Sequence, residues 1–304
     1  MRRGPIEVLL STHNGARYLP ALLESVRLQT CRRVLVSARD DGSTDASALL
    51  LERAKRGGNL HKLVLGENVG AAKSFLWLLQ SVEPTSEYAA FCDQDDVWLP
   101  DKLERAVEAL ASCDGAAMYC AAVRLVDEGL SAVGIHRRCL NPPSFGNALV
   151  ENIATGCTIV LNRCAIDLLN SVPQPDYVLM HDAWCYLVVA GFGQVIFDPQ
   201  PRVLYRLHDQ NAVGVKLSPL SAWIGRAHRH LRRKDERPLT QQALQFCSLY
   251  DSILRDPQRT QLRSFLDAQE SYRSRLVFAA SRLAYRQRRI DDTVYRVLYV
   301  LHRI

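Results

Sequence analysis

The sequence predicts an α/β fold, a mostly parallel, doubly wound central sheet followed by a helical C-terminal extension. Three observations carry that expectation. Short apolar runs alternate with amphipathic helical stretches through residues 1–216, the order that builds parallel sheets. Each of the first four runs ends in a polar or acidic loop, so the loops share the sheet edge where open α/β folds bind ligands. Residues 217–304 then change character, with 17 Lys and Arg against 8 Asp and Glu in Arg- and Gln-rich helical sequence.

Taken in order, Ile6-Glu7-Val8-Leu9-Leu10 is a strand, running into Ser11-Thr12-His13-Asn14-Gly15 and then a helix over residues 19–29. Val34-Leu35-Val36-Ser37 is the second strand, ending in Asp40-Asp41-Gly42-Ser43-Thr44-Asp45 before a helix over 46–55. Leu63-Val64-Leu65 is the third, followed by Asn68-Val69-Gly70 and a helix over 71–81 that carries Lys73 near its start. Tyr88-Ala89-Ala90-Phe91 is the fourth, opening into Asp93-Gln94-Asp95-Asp96-Val97-Trp98, with Pro100 expected in the first turn of the next helix. An Asp-rich turn that merely caps a helix is the bland reading of this last loop. Its position beside three other polar loops favours a seat for a hard divalent cation on phosphate oxygens. No G-x-G-x-x-G or Walker A sequence stands at any loop, which removes the usual dinucleotide and P-loop readings.

With 304 residues, 48% hydrophobic and 23% charged, the chain has room for one α/β unit and an appendage. The boundary is expected near 214–219, giving units 1–216 and 217–304. The net charge of +6 belongs to the second unit, because the first holds 21 basic and 24 acidic residues. No run reaches the roughly 18 apolar residues of a membrane span; the nearest, 184–197, is broken by Gly191, Gly193 and Gln194. Met1-Arg2-Arg3-Gly4-Pro5 leads directly into a strand, so a cytoplasmic location is expected. Nine scattered cysteines without a C-x-x-C pair read as small buried thiols and not as disulfides or a zinc site.

The four loop motifs, in this order and spacing, resemble the family 2 glycosyltransferases, inverting enzymes of the GT-A fold. The resemblance continues through Thr155-Gly156-Cys157-Thr158, His181-Asp182 and Tyr205-Arg206-Leu207-His208-Asp209-Gln210-Asn211, so it covers residues 5–214. The blocks around residues 68–75 and His208 are most similar to bacterial rhamnosyltransferase-like, polysaccharide-building members. The resemblance implies a UDP- or dTDP-sugar donor, and Mg²⁺ or Mn²⁺ held by Asp95, with Asp93 on the ribose or on a metal-bound water. His208 would be a further metal ligand or a donor to phosphate. Asp40 would accept from the pyrimidine N3–H, Ser11, Thr12, His13, Asn14 and Gln94 would line the nucleotide, and Lys73 would meet the diphosphate or the base. Thr155, Gly156 and His181 would bind the acceptor. Asp182 would be the base that takes the proton of the attacking hydroxyl.

Bland counterparts exist for each: a solvated lysine, an N-cap at Asp182, a structural histidine at 208 and a tight turn at Thr155. Two departures from the family pattern stand out, His13 in place of an aromatic residue and His181-Asp182 in place of Glu-Asp. In the tail, Ile290, Val294, Val297, Leu298 and Leu301 fall on one helical stripe beside Arg282, Arg286 and Arg289. That pattern suits a peripheral helix on anionic lipid at the inner face of the membrane, and equally a helix packed on the domain or on the second subunit of a homodimer. Nucleic acid is not expected, since no reading motif accompanies the basic residues.

Two functions remain. One is an inverting, metal-dependent transfer of a sugar, with rhamnose a candidate, to a saccharide or lipid-linked saccharide acceptor in cell-surface polysaccharide synthesis. The other is a non-catalytic member that binds a nucleotide sugar or scaffolds an assembly. The presence of both metal aspartates and the base favours the first. A nucleotidyltransferase would carry a Gly- and Lys/Arg-rich loop after its first strand, where this chain has Thr12-His13-Asn14.

Overall fold

Strands β1 (Ile6–Thr12), β2 (Val34–Asp41), β3 (Lys62–Gly66) and β4 (Tyr88–Asp93) are the four apolar runs of the sequence, each ending at its polar motif. The computed structural model describes residues 4–31, 33–136, 139–208 and 237–304; Asp209, Gln210, Asn211 and the expected boundary near 214–219 lie outside them. Further along are β5 (Val97–Trp98), β6 (Ala117–Ala121), β7 (Val123–Val126), β8 (Ala132–His136), β9 (Val160–Asn162), β10 (Gln194–Asp198) and β11 (Val203–Arg206).

The main sheet has the order β10-β6-β9-β4-β1-β2-β3 and is parallel except for β9, which runs antiparallel to β4 and β6. The chain winds outward from β1 to β3 and then crosses to β4 on the other side of β1. The switch in winding direction therefore lies between β1 and β4, the position where doubly wound sheets open a crevice. Register puts the motifs side by side: Ser11 lies opposite both Asp93 and Arg39, Thr12 opposite Asp40, and Asp41 opposite Gly66. A smaller sheet, β5-β11-β7-β8, stands beside the main one.

Strand periodicity of two divides the core into two layers. Ala89 and Phe91 of β4 join a cluster with α3 (Ala71–Gln80), α6 (Arg163–Asn170) and α7 (His181–Phe192). Tyr88, Ala90 and Cys92 join the opposite cluster with α1 (Leu19–Arg27), α2 (Ser47–Arg56) and α4 (Lys102–Leu110). Helix α7 is apolar nearly all round because it is covered on every side, by the sheet and by the C-terminal helices. Pro100 precedes α4, which starts at Lys102, and β5 separates the acidic loop from that helix. The loop therefore does not cap α4.

The C-terminal helices are α8 (Pro238–Tyr250), α9 (Gln258–Asp267), α10 (Tyr272–Ser281) and α11 (Arg289–Val300), preceded in the chain by the short α5 (Phe145–Ala148) that they pack against. Phe246 meets Phe145 at 5.5 Å and Trp184 of α7 at 6.3 Å between ring centroids. Gln287 takes the Leu140 and Asn141 amides, and Asn147 Nδ2 donates to the Tyr285 carbonyl. The extension thus continues the core on the α7 side. Among the described residues, no helix is long and apolar enough to cross a membrane.

Candidate active site

The carboxyl ends of β1, β2 and β4, the start of α3 and the start of α7 enclose a cavity of about 570 Å³. Ser11, Thr12 and His13 come from the first loop, Asp93, Gln94 and Asp95 from the acidic loop, and Thr155, Gly156, His181 and Asp182 from the far wall. These ten residues are the sequence-predicted ones that the fold brings together.

The first and fourth loops are locked to each other. Gln94 Oε1 accepts the His13 amide at 2.8 Å, and Gln94 Nε2 donates back to the His13 carbonyl at 2.9 Å. Ser11 Oγ lies 2.6 Å from Ser74 Oγ on α3, so the base of the cavity is tied to the helix behind it.

Four predicted residues, Asp40, Lys73, Asn14 and His208, do not line the cavity. Asp40 is 3% exposed and accepts from Thr12 Oγ1 (2.9 Å), the Ser43 amide (2.8 Å) and Ser43 Oγ (2.7 Å); it organises the loop from below. Asp41, one residue on, lines the cavity instead, ion-paired to Arg39 and accepting the Val69 and Gly70 amides at 3.0 and 2.8 Å. Gly70 presents that amide from φ 84°, a conformation that favours glycine. Strand parity explains the exchange: Val36 and Ala38 point into the α1 layer, Asp40 follows them, and Asp41 faces the α3 side. Lys73 is exposed on the outer face of α3 with Trp77 and Gln80, at i, i+4 and i+7, while Ser74 and Phe75 face inward. Asn14 acts as a staple, its Oδ1 accepting the Thr44 amide at 2.8 Å and its own amide donating to Ser43 Oγ at 2.9 Å.

His208 lies beside the cavity wall, with Nε2 2.8 Å from Asp95 Oδ2 and its ring stacked on Tyr18 at 5.1 Å. Arg206 clasps the same loop: its amide donates to Asp96 Oδ1 at 3.1 Å and its Nε to the Asp95 carbonyl at 2.9 Å. Asp41, Asn68, Asn152, Met180 and Tyr205 also line the cavity and were not singled out from the sequence, nor was Arg206 as a clasp. Of these, Asp41, Asn68, Tyr205 and Arg206 lay inside the quoted motifs, so a strand-parity reading could have found Asp41; Asn152 and Met180 carried no signal.

Asp182 occupies the first turn of α7, whose N-cap is Met180, and its Oδ1 accepts the Ala183 amide at 2.7 Å. A carboxylate is favourable there beside the helix N-terminus, and it also lines the cavity, so the structural and chemical readings coexist. His181 is 4% exposed, sandwiched by Phe75 at 4.1 Å and Phe91 at 4.8 Å, and neither ring nitrogen has a partner. Burial pushes its pKa down to about 4, so it is a neutral imidazole. Gly156 makes room for it, since a Cβ at that position would sit 2.8 Å from Nε2. Thr155 and Gly156 lead into a short 3-10 turn (Gly156–Thr158) before β9, the tight turn of the bland reading placed on the cavity wall.

The acidic loop holds more negative charge than its surroundings satisfy. Burial, then the charges of Asp95 and Asp182, push the Asp93 carboxyl up to about 8. Burial likewise raises Asp96, whose carboxyl meets the Cys157 thiol while its Oδ2 finds no other partner among the described residues. Beneath them Lys102 is 1% exposed, its ammonium 3.3 Å from the Trp98 ring centroid, and burial lowers its pKa to about 8. Asp93, Asp96 and Cys157 place ligand atoms within 4.8 Å of one another, but burial holds the Cys157 thiol well above its usual value. A neutral thiol is a poor ligand for a hard cation, so within this group the carboxylates of Asp93 and Asp96 are the suitable donors, and Asp95 adds a third carboxylate on the cavity wall.

The motif arrangement is matched by the model of one family, described as "Glycosyl transferase family 2", over residues 7–161. The chain belongs to that family. This glycosyltransferase is 25% identical over 227 residues to the dTDP-rhamnosyl transferase RfbG of Shigella flexneri, covering 69% of the chain and 75% of RfbG. It is 25% identical over 194 residues to the putative teichuronic acid biosynthesis glycosyltransferase TuaG of Bacillus subtilis, covering 62% and 73%. Among solved structures, S. aureus TarS (residues 1–349) in complex with UDP-GlcNAc matches with a TM-score of 0.57 at 14% identity, over 97% of this chain and 90% of that one. The mannosyltransferase PcManGT from Pyrobaculum calidifontis, in complex with GDP-Man and Mn²⁺, matches with a TM-score of 0.51 at 16% identity, over 99% and 87%. These two show that the glycosyltransferase has the GT-A fold.

The site's titrations predict a pH signature of stability. His181 is lowered from 6.5, so the folded glycosyltransferase binds fewer protons than the unfolded chain between pH 4 and 6.5, and stability is lost as pH falls through that window. Asp93 is raised from 3.8, so the folded state binds more protons up to pH 8, and stability is lost as pH rises. The two oppose below pH 6.5; above it Asp93 acts together with Asp96, which is raised in the same direction, and Lys102, lowered from 10.5 to about 8, opposes them only beyond pH 8. Melting temperature in chelator is expected to fall between pH 6.5 and 8, and the fall is expected to shrink with Mn²⁺; a profile that rises over that range would contradict the assignment.

Proposed function

We propose that the chain is an inverting transferase that moves a sugar from a UDP- or dTDP-sugar to a hydroxyl of a saccharide or lipid-linked saccharide in cell-surface polysaccharide synthesis. Rhamnose is the donor sugar favoured by the likeness to RfbG. One observation carries the reading: the donor-side carboxylates Asp93 and Asp95 and the separate carboxylate Asp182 line a single cavity from different elements. A single-displacement transfer needs charge stabilisation at the leaving diphosphate and a proton acceptor at the incoming hydroxyl.

Asp95 and Asp93 would hold Mg²⁺ or Mn²⁺, which when bound neutralises charge on the diphosphate oxygens. His208, through its contact with Asp95 Oδ2, fixes that carboxylate's orientation in the manner of an outer-shell partner. Ser11, Thr12, His13 and Gln94 shape the nucleotide end, and Asp41, with Asn68, meets the pyrimidine in place of Asp40. His181, neutral and held between Phe75 and Phe91 with its ring nitrogens buried, would shape the acceptor wall next to Thr155 and Gly156. The cavity would work at the inner face of the membrane, with the basic C-terminal helices as a peripheral contact and units divided near residue 216. A panel of UDP-, dTDP- and GDP-sugars assayed for thermal stabilisation with Mn²⁺ tests the donor class, since a ligand of the native state raises the melting temperature.

The exchange of Asp40 for Asp41 has its own test. One lost charge-assisted hydrogen bond is worth roughly 1.5–3 kcal/mol, about tenfold or more in affinity. Asp41→Asn is expected to lower the melting temperature through loss of the Arg39 ion pair and also to weaken uridine or thymidine diphosphate by about that factor in calorimetry, whereas Asp40→Asn is expected to lower the melting temperature with little change in affinity. The reverse ranking would return the base to Asp40.

A further inference from the structure

We infer that the outer face of α11 is a docking surface for an anionic lipid bilayer. The inference deepens the proposed peripheral contact, taking its purpose from the transferase reading and its chemistry from the surface. Helix α11 has two apolar faces. Tyr295 and Tyr299 are buried, with Tyr299 5.4 Å from Phe265 and 5.0 Å from Phe278, so that face already anchors the helix to the protein. On the other side Ile290 is 71% exposed, Val297 53% and Leu301 59%, at i, i+7 and i+11, with half-buried Val294 between them at i+4. The fold does not need this second stripe. Leu298, grouped with it from the sequence, turns instead toward the core.

The surroundings are cationic. Residues 272–301 carry seven arginines against two aspartates. Arg273, Arg282, Arg288 and Arg289 are exposed, while Arg286 is half-buried and lies 3.7 Å from Glu151 as a structural tie. Asp292 is engaged by Arg296 at 2.8 Å and by the Arg286 amide at 2.9 Å, so it does little to offset the exposed arginines. An apolar stripe that begins beside exposed Arg288 and Arg289, in a segment where Asp291 offsets only one of the positive charges, suits a helix lying in a headgroup layer. A helix of 12 residues is about 18 Å long, too short to span and long enough to lie in the interface. A second copy of the chain would bring the same arginines against each other in a two-fold contact, which disfavours that occupant.

The test is flotation of the full chain with phosphatidylcholine vesicles with and without phosphatidylglycerol. The wild type is expected to float only with the anionic vesicles and to be released by salt. The triple variant Ile290→Ser/Val297→Ser/Leu301→Ser is expected to lose at least about tenfold in partitioning. The control Leu244→Ser/Ile253→Ser, exposed elsewhere, is expected to keep it. Melting curves of each variant establish folding, and nucleoside-diphosphate affinity is measured in parallel. Absence of wild-type flotation, equal flotation of the triple variant, or a dimer abolished by the triple variant without lipid binding would overturn the surface while nucleotide binding stands. Flotation without nucleotide binding would overturn the transferase reading and leave the surface.

Discussion

Asp182→Asn is expected to bind nucleoside diphosphate with unchanged affinity and to transfer sugar at least about a hundredfold more slowly, because a general base contributes about 10² to 10⁴-fold. Asparagine keeps the shape and an oxygen for the Ala183 amide, so α7 starts as before. The lost charge at the helix N-terminus costs on the order of 0.3–1 kcal/mol, small for a chain of this size. On the donor side the one expected change is relief of Asp93 from a neighbouring negative charge. Turnover measured with saturating donor separates the outcomes: near-normal rates in Asp182→Asn would remove the residue from the chemistry.

Asp95→Ala is expected to abolish the dependence of nucleotide binding on divalent cation. In the wild type, chelation is expected to weaken nucleoside diphosphate at least about tenfold, or 1.4 kcal/mol. In Asp95→Ala, affinities with and without chelator are expected to coincide at the weaker value. The alanine also frees His208 and removes one of the charges that raise Asp93, so the pH-dependent loss of stability above pH 6.5 is expected to lessen. Equal affinity with and without chelator in the wild type would leave Asp93 and Asp95 without a cation to hold.

The main-sheet strands legible in the sequence were those in which an apolar run ends in a polar motif, whether fully buried like β1 or only half-buried like β3, while the fully buried β6, with no such motif, was not read. Ile6 to Thr12 is buried at every position, and Tyr88 to Cys92 likewise, so apolar run and turn residue together located both strand and loop. Within the small sheet the run before His208 reads as a strand and is β11, whereas β5 has two residues and β8 is mostly exposed, leaving neither length nor alternation to read. Within motifs, periodicity decided which neighbour faces the cavity. Parity along β2 turns Asp40 under the loop and Asp41 into the cavity, and the helical repeat of α3 turns Lys73 outward. Asp182 stood out through the resemblance to the family's base position, whereas the apolar helix after it suggested an N-cap; the cap is Met180, and Asp182 sits in the first turn on the cavity wall. The tail's stripe was read as a single face, whereas Tyr295 and Tyr299 form the packed side and Ile290, Val297 and Leu301 the open one.

The stereochemistry of the product tests the central claim most directly. With a dTDP- or UDP-sugar donor identified by the stabilisation screen and a hydroxyl acceptor, proton NMR of the first product formed by the wild-type chain is expected to show the anomeric configuration opposite to that of the donor, since one displacement assisted by Asp182 leaves no covalent intermediate. A first product that keeps the donor's configuration, or no transfer in the presence of Mn²⁺ from any donor that stabilises the chain, would contradict it.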